Sequence, residues 1–239
     1  MDSRIIVALD VPTAAAAHTV VKEIGDAVSF YKVGLELFLA EGPSVLELLR
    51  EEGKRIFLDL KFHDIPRTVE HAVQSVLKYR PDLLTIHASG GQAMVSGAAK
   101  AIQEAGADSR LLAVTVLTSL NQDDLVQMGV VRPVAEQVVS LGKLAVEAGA
   151  NGLVCSPLEV SLLRQALGAE PVLVTPGVRP AGAGVGDQKR VMTPGDAIRA
   201  GSTYLVIGRP VVGASNRREA AIRINEEIEQ ALAETGVVQ

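Results

Sequence analysis

Short apolar runs recur along the chain at intervals of roughly thirty residues, the length of a strand–helix–strand unit. They cover residues 5–10, 29–34, 55–58, 83–87, 110–117, 152–155, 171–175 and 203–207. Between them lie segments with helical spacing of apolar positions, often closed by glycine. These predict helices over 13–24, 43–52, 66–79, from the Gly90-Gly91 turn to about Ala105, over 133–148, 158–167 and 217–234, with a short one over 123–128. The runs are apolar throughout rather than alternating, as in strands covered on both faces. Alternating strands and helices imply a parallel sheet. Eight such units in 239 residues match the (β/α)8 barrel of the α/β class. A doubly wound open sheet is the alternative, weakened because no G-x-G-x-x-G follows the first strand. No linker or low-complexity tract interrupts the pattern, so a single domain over residues 1–239 is expected.

Composition narrows the function. The net charge is −5, aromatic residues make up 3% and tryptophan is absent. That leaves no general nucleic-acid surface and few stacking platforms for bases. Cys155 is the one cysteine, so no internal disulfide forms. In its small apolar strand it reads as a buried structural thiol rather than a nucleophile. The N-terminal residues show no signal-peptide pattern, and no apolar run reaches membrane-spanning length. The expectation is a cytoplasmic protein with no membrane partner.

The third strand runs into Asp59-Leu60-Lys61-Phe62-His63-Asp64-Ile65-Pro66. Side chains alternate along a strand, so Asp59 and Lys61 share a face and Leu60 takes the other. Asp64 falls in the turn beyond, and Pro66 suits the first turn of a helix. A plainer account makes Asp64 a helix cap and Asp59–Lys61 an exposed ion pair. Against it, three charges within six residues end an otherwise apolar strand, and costly charges of this kind gather at functional sites.

In a barrel of this class the active site lies at the carboxyl ends of the strands. The residues expected there are Asp10, Lys32, Asp59, Lys61, Asp64, His87, Thr118, Pro176-Gly177 and Gly208-Arg209. The loop after the seventh strand, 177–188, has four glycines and carries Arg179 and Gln188; the eighth strand ends in Gly208-Arg209. Loops in these two positions often bind phosphate, and arginine suits it through paired hydrogen bonds. The glycines also fit a mobile lid. His18, His63, His71 and His87 are scattered without metal-ligand spacing, so no metal site is expected.

Taken together, the chain resembles the orotidine 5′-phosphate decarboxylase family. The resemblance rests on the 59–66 run, on Val114-Thr115-Val116-Leu117-Thr118-Ser119, on Val174-Thr175-Pro176-Gly177-Val178-Arg179-Pro180, on Gly186-Asp187-Gln188 and on Ile207-Gly208-Arg209-Pro210. It implies decarboxylation of orotidine 5′-monophosphate to uridine 5′-monophosphate without a cofactor, in a homodimer with shared active sites. It assigns Lys32, Asp59, Lys61 and Asp64 to a charged network, with Lys61 protonating C6 of the pyrimidine. Asp64, Ile65 and Thr68 would reach the partner subunit's site. Asp10 and Lys32 would hold the ribose hydroxyls, and Thr118 and Ser119 the base. Pro176 would line the substrate site, Arg179, Gly208 and Arg209 would grip the phosphate, and Gln188 would close over it. Arg67 departs from the asparagine common after Ile-Pro in relatives, which bears on the entrance or dimer surface rather than the chemistry.

The chemistry of the residues agrees. Loss of carbon dioxide leaves a carbanion-like centre with no electron sink, and a positioned ammonium group supplies what that reaction lacks. The rival enzyme is a metal-dependent sugar-phosphate decarboxylase or epimerase on the same barrel, which would need acidic metal ligands. A nucleotide-binding barrel without catalysis is the non-enzymatic rival, and it has no use for the charged cluster.

Overall fold

The computed structural model describes residues 4–180 and 192–235. Eight strands close into a parallel barrel in sequence order, with β1 paired to both β2 and β8. They are β1 Ile5–Ala8, β2 Phe30–Gly34, β3 Arg55–Phe62, β4 Leu83–His87, β5 Arg110–Val114, β6 Gly152–Val154, β7 Val172–Thr175 and β8 Tyr204–Ile207. The helices are α1 Ala14–Ile24, α2 Leu35–Glu41, α3 Ser44–Glu51, α4 Pro66–Leu77, α5 Gln92–Glu104, α6 Gln122–Gln127, α7 Val134–Glu147, α8 Val160–Leu167, α9 Pro194–Arg199, α10 Arg209–Val212 and α11 Arg217–Thr235. None of them is long and apolar enough to cross a membrane.

The strands bury both faces, as their unbroken apolar runs require. Outward-facing residues such as Ile5, Val7, Tyr31 and Leu58 pack beneath the helices in one continuous cluster. Inward-facing residues, among them Ile6, Phe30, Phe57, Leu112, Val174 and Val206, fill the barrel in a second cluster. The amino-terminal end of the barrel is plugged. The Arg55 guanidinium lies 4.1 Å from the Phe30 ring centroid and 5.6 Å from that of Tyr204. Asp82 holds Arg55 at 3.4 Å and Arg50 at 2.9 Å. The interior is thus stacked shut at one end and, among the described residues, opens at the carboxyl ends of the strands.

Several boundaries differ from the sequence expectation. The fifth strand stops at Val114 rather than 117, because its neighbour β6 is only three residues long. Thr115 makes a final backbone bond to Val154 before the chain leaves the sheet. Helices α2, α9 and α10 were not expected: each is short and begins directly after a glycine or threonine that reads locally as a turn. Thr13 caps α1 by accepting from the Ala16 N–H, and Pro66 opens α4 as predicted.

β6 fits only because Gly152 has no side chain. A Cβ built there would stand 2.1 Å from the Val172 carbonyl oxygen, on the neighbouring strand. Gly152→Ala is therefore expected to cost about 1–3 kcal/mol through forced backbone shifts, read as a clear fall in Tm. Gly97 in α5 is the contrast, since the nearest atom to its Cβ would be the Pro66 carbonyl oxygen at 3.8 Å. Gly97→Ala should stabilise by roughly 0.5–1 kcal/mol through helix entropy. Equal effects of the two substitutions would contradict this packing.

Candidate active site

The open end of the barrel holds a cavity of about 600 Å³. Its lower wall is apolar, with Ala8, Phe57, Val114, Val154 and Val206. Its rim carries Asp10, Lys32, Asp59, Lys61, Thr118, Pro176, Arg179, Gly208 and Arg209, all expected from the sequence.

On one side the charges form a row of alternating sign. Asp10 Oδ1 lies 2.9 Å from Lys32 Nζ. Lys32 Nζ lies 3.7 Å from Asp59 Oδ2, and the same oxygen lies 2.8 Å from Lys61 Nζ. Asp59 is the buried member, 7% exposed. A lone buried carboxylate is strongly unfavourable, and two adjacent ammonium groups offset its desolvation. The row sums to zero charge, so it is stable in a largely apolar mouth while leaving a cation and an anion facing the space.

The strand that carries Asp59 and Lys61 is not regular. The ladder pairs Leu58 with Leu84 and Phe62 with Ile86, so β3 spends four steps where β4 spends two. Within this bulge Lys61 takes φ +51°, a left-handed conformation uncommon for a non-glycine residue. Both Asp59 and Lys61 still line the cavity and Leu60 still packs outward, as alternation predicts, but the route there is a bulge. The buried Thr85 touches this region and was not singled out in the sequence. The available signal is one polar residue inside the apolar strand Leu83-Leu84-Thr85-Ile86.

Two arginines stand at the mouth beyond β7 and β8. Burial, and then the charge of Arg209, hold the Arg179 guanidinium below the ordinary arginine range. Two like charges set close together in a cleft favour an anion between them. Arg209 opens α10, directly after Gly208 at the end of β8. His87, at the end of β4, is kept below its ordinary value by burial first and then by the charges of His63 and Lys61. Its ring centre is 5.3 Å from that of His63. Cys155 is fully buried and also lines the cavity.

Five expected residues do not line this cavity, His87 at the end of β4 among them. Asp64, Ile65 and Thr68 are exposed along the turn into α4, and Ser119 is exposed beyond β5. Asp64 does not cap the helix: its carboxylate accepts from the adjacent Ile65 N–H, and Ile65 is the capping position. Gln188 lies outside the described residues. Among the described residues, no group of three or more His, Cys, Asp or Glu side chains could hold a metal ion.

Comparison with known proteins places the chain in a family. The sequence profile described as "Orotidine 5'-phosphate decarboxylase / HUMPS family" matches residues 3–224. The orotidine 5′-phosphate decarboxylase of Gloeothece citriformis is 50% identical over 229 residues, covering 95% of this chain and 98% of that one. The Moorella thermoacetica protein of the same name is 49% identical, with 95% and 92% covered. The crystal structure of orotidine 5′-phosphate decarboxylase from Lactobacillus acidophilus superposes with a TM-score of 0.85 at 39% identity, over 95% of this chain and 99% of that one. With its profile matched over nearly the whole length and relatives at half identity, the chain belongs to the orotidine 5′-phosphate decarboxylase/HUMPS family.

Proposed function

We propose that this protein converts orotidine 5′-monophosphate to uridine 5′-monophosphate and carbon dioxide, the last step of de novo uridine monophosphate synthesis, with Lys61 as the proton donor. The observation that carries this reading is the Asp59 carboxylate, buried at the cavity edge, with Lys61 Nζ at 2.8 Å and Lys32 Nζ at 3.7 Å. The bond from C6 to the carboxylate carbon breaks and leaves its electron pair on C6. The Lys61 ammonium gives that carbon a proton, and solvent restores the ammonium. A fixed charge already oriented in the cleft needs no reorganisation as the negative charge develops.

The remaining residues take the parts the resemblance implies, and the place of Asp10, Lys32, Thr118, Pro176, Arg179, Gly208 and Arg209 on the cavity supports theirs. Asp10 and Lys32 hold the ribose hydroxyls, Thr118 and Ser119 face the base, and Pro176 closes the wall beside it. Arg179, Arg209 and the Gly208 backbone take the phosphate, joined by Gln188. Phosphate bound at a distance from C6 supplies binding energy that lowers the barrier at the reacting carbon. A biosynthetic role of this kind belongs in the cytoplasm.

The working unit in this reading is a homodimer whose sites are shared. Ile65 is 68% exposed, Leu39 78% and Val131 85%, and each lies in a segment that follows a strand's carboxyl end. Large exposed apolar side chains around one rim suit an interface. Asp64 and Thr68 sit on the same exposed turn as Ile65, within reach of a neighbour's cavity rather than their own.

The direct test follows the ultraviolet absorbance of orotidine 5′-monophosphate mixed with the purified protein and a chelator. Conversion to the uridine monophosphate spectrum is expected, and an unchanged spectrum with folded protein would overturn the reading. Lys61→Ala should bind uridine 5′-monophosphate yet lose turnover by a factor of about 10² or more; undiminished turnover would remove Lys61 from the mechanism. Mixing inactive Lys61→Ala with inactive Asp64→Ala tests the shared site. Random re-pairing gives heterodimers with one intact site, restoring about a quarter of wild-type activity for a two-fold dimer. No recovery after verified subunit exchange would place Asp64 outside the partner's site.

A further inference from the structure

Thr85 is completely buried on β4, directly opposite the β3 bulge. It is the one residue between Leu84 and Ile86, whose partners across the ladder, Leu58 and Phe62, are separated by Asp59, Leu60 and Lys61. Its hydroxyl makes two contacts there. It accepts from the Lys61 backbone N–H at 2.9 Å and donates to Asp59 Oδ1 at 3.0 Å. A threonine hydroxyl has one proton to give and lone pairs to receive, so both contacts are made at once.

The consequence for the carboxylate is a division of labour between its oxygens. Oδ1 is taken by Thr85, while Oδ2 faces both lysines. The torsion of the Asp59 side chain is thereby set by a buried neighbour as well as by the two ammonium groups. The consequence for Lys61 is at the backbone. Its left-handed φ of +51° is uncommon for a side chain of this size, and the Thr85 hydroxyl engages the N–H of that same residue. A bulge next to a functional group is where such an anchor has the most effect on aim.

We propose that Thr85 is the positioning residue of the charged row: its single hydroxyl locks the Asp59 carboxylate and the Lys61 backbone together, so that Lys61 Nζ is aimed into the cavity. The proposal rests on the reading of Asp59 and Lys61 as the reacting pair. Thr85 touches no part of the cavity itself and acts only through those two residues. A valine has the same shape but neither gives nor accepts a hydrogen bond, and would leave the Lys61 N–H and one Asp59 oxygen without this partner.

The experiment compares wild type, Thr85→Val and Thr85→Ser. Thr85→Val is expected to lower kcat for orotidine 5′-monophosphate by about 10- to 100-fold through misplacement of the reacting group. The Kd for uridine 5′-monophosphate, dominated by ribose and phosphate contacts, should stay within about threefold of wild type, and Thr85→Ser should recover most of kcat. Wild-type kcat in Thr85→Val overturns the proposal. So does a loss of kcat matched by an equal loss of uridine 5′-monophosphate binding that serine does not restore, since that is the mark of a merely structural role. Thr85→Ala, which removes the same hydroxyl, replaces the valine variant if that one does not fold. Crystal structures of the variants read the positional claim apart from activity. Lys61 leaving its left-handed conformation, or its Nζ moving away from Asp59, supports the claim, whereas unchanged geometry in Thr85→Val overturns it. Absence of turnover in wild type would instead refute the proposed reaction, leaving the structures to decide the role of Thr85.

Discussion

Everything at the open end of this barrel depends on one buried carboxylate with two lysines beside it. Asp59 is tolerated in an apolar mouth because Lys32 and Lys61 neutralise it, and the lysines are held because Asp59 is there. The partners come from different strands: Asp10 just past β1, Lys32 from β2, Asp59 and Lys61 from β3. Barrel closure sets these strands side by side, in register, and so fixes the spacing of the charges. Loss of the Asp59 charge would leave two ammonium groups facing each other, a repulsive arrangement the apolar wall could not screen.

The rest of the fold isolates that row. Apolar side chains fill the barrel interior below it, and Arg55 stacked on Phe30 and Tyr204 shuts the opposite end. Among the described residues the cavity opens at the carboxyl ends of the strands, with Arg179 and Arg209 on its lining beyond β7 and β8. The charge layout has a direction: paired arginines for an anion at one edge, an ammonium beside a carboxylate at the other. A nucleotide monophosphate has matching ends, a phosphate and a base joined by a polar sugar.

Most of this was legible in the sequence, for physical reasons. Strands buried on both faces write themselves as unbroken apolar runs, so all eight were found. Their charged or glycine-rich ends stand out against that background, which is why ten rim residues from Asp10 to Arg209 are expected from the sequence and do line one cavity. What escaped was local geometry. Alternation put Asp59 and Lys61 on the same side, but it did not foresee the bulge or the left-handed Lys61, since neither leaves a glycine as a marker. Thr85 was passed over because a single hydroxyl in a strand looks like a neutral substitution until its two partners are known. The short helices α2, α9 and α10 carry too few turns for a periodic pattern to emerge. Asp64, Ile65, Thr68 and Ser119, expected at the site from the resemblance, lie exposed outside the cavity.

In the proposed reaction the Lys61 ammonium exchanges a proton with C6 of the pyrimidine. The most direct measurement is proton NMR of uridine 5′-monophosphate incubated in D2O with wild type and with Lys61→Ala. By microscopic reversibility, a group that protonates C6 also removes the C6 proton. Slow disappearance of the C6–H signal is expected with wild type and none above background with Lys61→Ala. Equal exchange by the two proteins would contradict it and move the proton donor elsewhere in the cavity.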